Sequence, residues 1–75
     1  MARLLDLFLA EAGPATRARV AAWSVSGDGW TQIHGNLVDV ELFRAERVAV
    51  ISGVLPPDGE ERVPLDAFLV AAAQV

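Results

Sequence analysis

The 75-residue chain contains no cysteine, and all six of its basic residues are arginine, so lysine is absent as well. Without cysteine there is no disulfide framework, no thiolate metal site and no thiol nucleophile. Without lysine there is neither Schiff-base chemistry nor the ammonium group of a phosphate-binding loop. His34 is the single histidine, and one imidazole among scattered acids lacks the ligand spacing of a zinc site. Long apolar runs are missing too. Asp6 and Glu11 interrupt the N-terminal stretch and leave no signal-peptide core. Nothing approaches the ~20 apolar residues of a membrane span. These absences point to a cytoplasmic protein without membrane association. The alanine, valine and arginine richness matches a high-GC bacterial or phage origin.

Ten acids against six arginines set the net charge at −4, a poor basis for gripping phosphate backbones. Apolar residues make up 53% of the chain and charged ones 21%, which argues against disorder and for one folded domain over 1–75. A chain this short buries only ~60% of the surface it exposes when unfolded. With no covalent staple available, pairing with a second copy is a natural source of further core, so a homodimer is expected.

Leu4, Leu5, Phe8, Leu9 and Ala12 recur at helical spacing over 2–12, and Gly13-Pro14 stops that helix. Residues 16–25 are ambiguous between helix and strand. The Trp23-Ser24-Val25 end before Ser26-Gly27-Asp28-Gly29 favours a strand turning back into Trp30–His34. In that hairpin Val25 lies opposite Trp30, and Trp23, Val25 and Trp30 form one patch. From Leu37 to Phe43 apolar and acidic residues alternate strictly, the pattern of a half-buried strand. After the polar turn 44–47, Val48 to Leu55 forms the next strand. Pairing Phe43 with Val48 places Val38, Val40 and Leu42 beside Ala49 and Ile51 on the core face. The opposite face then holds Phe43, Val48 and Val50 next to Asp39 and Glu41. A sheet apolar on both faces requires a second cover. Residues 56–61 form an acidic turn, Arg62-Val63 a brief strand, and Pro64 opens a final helix over 64–74.

The expected fold is thus α+β, an antiparallel sheet of about four strands flanked by an N-terminal and a C-terminal helix. A small SH3-like or Sm-like barrel with an N-terminal helix is the competing layout.

No catalytic set emerges. His34 beside Gly35, oriented by Asp39 or Glu41, has the composition of a general base, but with no second histidine, cysteine or motif a surface histidine near a turn is the better explanation. Asp39 and Glu41 share a strand face and have the chemistry to bind a cation, yet cross-strand pairing with Arg44 and Arg47 accounts for them. No serine occupies a nucleophile elbow, and Gly27-Asp28-Gly29 lacks the remainder of a phosphate loop. No enzyme activity, cofactor or metal is expected. Arg17 and Arg19 near Trp23 and Trp30 form the one constellation suited to single-stranded nucleic acid. Residues 1–25 carry three arginines against two acids and residues 26–75 three against eight, so the basic footprint is slight.

The reading that remains is a non-catalytic module that binds another protein as an inhibitor, antitoxin-like factor or adaptor. Its contact residues are Trp23 and Trp30 as anchors, Phe43, Val48 and Val50 on the second apolar face, and Asp58, Glu60 and Glu61 as contacts for a basic partner. The second reading is a small-ligand pocket between sheet and helices, lined by Trp23, Trp30, Phe43 and Phe68.

Overall fold

The computed structural model describes residues 3–54 and 59–73. Helix α1 covers Arg3–Glu11 and α2 covers Pro14–Ser26. Strands β1 (Trp30–His34), β2 (Val38–Phe43), β3 (Val48–Gly53) and β4 (Glu60–Pro64) follow, and α3 spans Leu65–Ala73. The four strands form an antiparallel meander in the order β1-β2-β3-β4, so the sheet is open, with β1 and β4 at its edges; it does not close into the barrel that competed with it. The α+β expectation holds, and Phe43 pairs with Val48 as the alternation required.

One segment departs from expectation. Residues 16–25 belong to a helix, not to a strand paired with β1, and the fourth strand comes from residues 60–64. Gly13-Pro14 does end α1, but Pro14 also sits in the first turn of α2, where its missing N–H costs nothing and its fixed φ suits the helix. Alanine-rich sequence propagates from there, and Val20 and Trp23, three residues apart, supply its buried stripe. Gly27 terminates this helix, its N–H donating to the Trp23 carbonyl at 2.8 Å.

Alternation along the strands sorts the side chains. Ile33, Val38, Val40, Leu42, Ala49, Ile51 and Val63 face one side. On that side they form one core with Leu5 and Phe8 of α1, Val20 and Trp23 of α2, and Leu65, Phe68 and Ala72 of α3. Phe8 and Phe68 meet with ring centroids 5.2 Å apart, joining the first helix to the last. All three helices therefore lie on the same face of the sheet.

Polar anchors fix the helices in place. The Glu61 carboxylate accepts the Leu4 N–H at 2.8 Å, satisfying an orphan donor in the first turn of α1. At the other end of α1, the Glu11 carboxylate accepts the N–H groups of Asn36, Leu37 and Val38 at 2.7, 2.8 and 3.2 Å. Helix α1 is thus pinned to β4 by one carboxylate and to the β1–β2 turn by another. Arg17 of α2 donates to the carbonyls of Leu9 and Ala12 near the end of α1 and of Ala72 near the end of α3. It places positive charge where two helix dipoles end. Arg44, after β2, stacks its guanidinium 4.4 Å from the Trp23 ring centre and donates to the Trp23 carbonyl at 2.7 Å. That contact ties the C-terminal end of α2 to the β2–β3 turn.

A methyl group on Gly27 would fall inside the Trp23 indole and 2.6 Å from the Trp23 carbonyl oxygen, whereas one on Gly29 would meet nothing. Because the indole is buried beneath Arg44, it has little room to retreat. Gly27→Ala should therefore cost about 1–3 kcal/mol by overpacking, with Gly29→Ala as the matched control. Urea unfolding of the two variants measures this, and equal midpoints would refute the close packing of Gly27 on Trp23.

Candidate functional site

The other face of the sheet is built by the alternate residues of the same strands. Trp30, Gln32 and His34 of β1 lie beside Phe43, Glu41 and Asp39 of β2. Val48, Val50 and Ser52 of β3 follow, then Pro64, Arg62 and Glu60 of β4. The described helices all pack on the opposite side, so no described element covers this face. Val50 shows the separation. It is buried, with 7% of its surface exposed, yet it lies outside the continuous core. Its cross-strand neighbours Glu41 and Arg62 flank it from either side.

A shallow concavity of about 280 Å³ opens over Val50. Phe43 and Val48, both half-buried, are its other apolar residues. Glu41, Glu46, Glu60 and Arg62 complete the lining, three carboxylates against one guanidinium. Arg62 Nε lies 3.6 Å from Glu60 in an exposed pair, so Glu60 is already partly matched, while among the described residues no base pairs with Glu41 or Glu46 in this way. Trp30 extends the apolar surface toward the β1 edge. About half of its surface is exposed, and its indole N–H donates to Glu41 at 3.3 Å.

Five of the eight contact residues expected from sequence thus gather on one surface: Trp30, Phe43, Val48, Val50 and Glu60. Trp23 does not join them. It is buried on the helical side, 7% exposed, because residues 14–26 are helical and turn it into the core. Glu61 is also redirected. One residue away from Glu60, it faces the helices and caps α1. Asp58 lies outside the described residues. Glu46 and Arg62 join the site without having been expected there. Arg62 was legible in principle, since Glu60, Arg62 and Pro64 alternate against Val63 and Leu65. Glu46 sits in the β2–β3 turn, where alternation assigns no face.

The other constellations take different positions. Trp23 and Phe68 are on the helical side while Trp30 and Phe43 are on the bare face, so these four do not line a common pocket. Arg17 is held by helix-end carbonyls, and Arg19 donates to the Gln32 carbonyl on the β1 edge at 3.0 Å, so both guanidiniums are engaged by backbone carbonyls, while Trp23 is buried away from Trp30. His34 Nδ1 lies 3.4 Å from Asp39, a cross-strand pair at the exposed margin of the bare face. Among the described residues no group of three or more acids and histidines is placed to hold a metal ion. Nor is any described helix long and apolar enough to cross a membrane. No family model, curated protein or solved structure matches the chain.

The two tryptophans report on the two faces separately. Trp23→Phe should leave red-shifted emission, from Trp30, that acrylamide quenches readily. Trp30→Phe should leave blue-shifted, poorly quenched emission from the buried ring. Similar quenching in the two variants would contradict the placement of one indole inside and the other out.

Proposed function

We propose that the chain is a non-catalytic protein-interaction module and that the bare face of its sheet is the surface through which it binds another protein. The observation that carries this reading is the juxtaposition of Trp30, Phe43, Val48 and Val50 on a face that no described helix covers. A half-exposed tryptophan at the margin of an apolar floor has the make-up of an interaction anchor, since tryptophan is enriched among the residues that dominate binding energy. Charged groups at the rim, Asp39, Glu41, Glu46, Glu60 and Arg62, steer and orient a partner more than they hold it. The partner expected from their balance has a basic surface. An inhibitor, antitoxin-like or adaptor role is compatible with such a module.

The face is small for pairing with a second copy. Four strands at ~4.8 Å spacing and five residues at ~3.3 Å cover roughly 320 Å² in projection. Even doubled for side-chain relief, that falls short of the ~800 Å² that each partner of a stable complex commonly buries. A symmetric dimer through this face would also press like-signed rims together. The small area suits a short segment of a partner, and the like-signed rims favour a different molecule over the homodimer suggested by chain length alone.

A photo-crosslinking residue in place of Phe43, compared with one in place of the exposed Ala67 on α3, tests the reading in cells of the native host. Crosslinks to a discrete protein are expected from position 43 and not from position 67. With that protein purified, Trp30→Ala should weaken binding by about 2 kcal/mol or more in calorimetry. Crosslinks from both positions alike, or unchanged affinity in the variant, would refute the assignment.

A further inference from the structure

Resting on that reading of the bare face, we infer that its concavity receives a single arginine or lysine side chain from a short basic segment of the partner. The alkyl stem lies over Phe43, Val48 and Val50, and the cationic head meets the Glu41 carboxylate, with Glu46 and Glu60 adding negative charge at the two ends of the concavity. The two halves of the site match the two halves of such a side chain. Long basic residues bury their methylene stems against apolar surface and keep the charge at a polar margin. Here the floor is apolar and the walls are carboxylates within one concavity of about 280 Å³. A leucine or phenylalanine would satisfy the floor but bring nothing to the carboxylates. An acidic side chain would add like charge beside three of them.

The internal cation leaves room for an incoming one. Arg62 is associated with Glu60, and the pair is exposed at both ends. Glu41 is held in position by the Trp30 indole N–H, a neutral donor that leaves its charge in place. Lining of three acids and one base therefore retains a net negative charge after the internal pair is counted. A guanidinium is the better fit of the two heads, because its planar fork can engage both oxygens of one carboxylate, here Glu41. The limited area of the face adds that the occupant is a segment of chain, not a broad globular surface.

The test is a titration of the full ¹⁵N-labelled chain, followed by its amide spectrum, with three peptides: alternating arginine–leucine, glutamine–leucine and glutamate–leucine. The arginine peptide should shift the amides of Glu41, Phe43, Val48, Val50 and Arg62 and bind about tenfold more tightly than the glutamine peptide at low salt. High salt should erode that margin. In the double variant Glu41→Gln, Glu46→Gln the margin should vanish while the peptide-free spectrum stays folded. Glu60→Gln, the milder change, should reduce it. Equal binding of the glutamine or glutamate peptide at this face would overturn the cationic occupant yet leave the interaction surface standing. Shifts at these amides that grow with protein concentration alone would put a second copy there and likewise overturn the inference. If no peptide perturbs the face at all, the basic-segment inference and the interaction surface fall together.

Discussion

Everything the bare face can do depends on the packing of three helices against only one side of a four-stranded sheet. A strand presents alternate side chains to opposite faces, so each of these strands had to meet two environments with one sequence. On the helical side the solution is complete burial: Val40, Leu42, Ala49, Ile51 and Phe68 have no exposed surface. Carboxylates and guanidiniums then lock the helices down, Glu61 and Glu11 at the two ends of α1, Arg17 at the meeting of three helices, and Arg44 over Trp23. With these groups committed to the scaffold, the opposite face is left to Trp30, Phe43, Val48 and Val50 and a mostly acidic rim.

The division of labour among charged residues follows from that geometry. In the β4 strand Glu60 and Glu61 are neighbours in sequence but serve opposite faces, one in the wall of the concavity and the other as a helix cap. Similarly, Arg44 and Arg62 are both exposed, yet Arg44 turns back over an indole while Arg62 stays beside Glu60 on the bare side. Net charge alone does not predict such roles. Register does, because a shift of one residue would exchange the two faces.

Much of this was legible where periodicity was strong. The alternation of Val38 to Phe43 yields both the strand and its Phe43–Val48 register, and with them the second apolar face. The terminal helices were legible from Leu4, Leu5 and Phe8 at one end and from Leu65, Phe68 and Ala72 at the other. Residues 16–25 were not, for a physical reason. Trp23 and Val25 favour strands locally, but helix α2 is decided by Pro14 at its start, by its alanines and by the burial of Trp23 against the core and under Arg44. A strand there would put Trp23 beside Trp30, whereas the helix turns it into the core. The site was accordingly half visible: its apolar floor follows from alternation, whereas Glu46 depends on how a turn folds, and turns carry no such pattern.

Diazirine-based carbene footprinting of the isolated protein tests the central claim most directly, since it labels whatever side chains meet solvent. One-sided packing predicts heavy labelling of Trp30, clear labelling of Phe43 and Val48, and protection of Phe8, Trp23 and Phe68. Protection of Phe43 and Val48 to the level of Phe68 would contradict it, for the second face would then already be covered in the free chain.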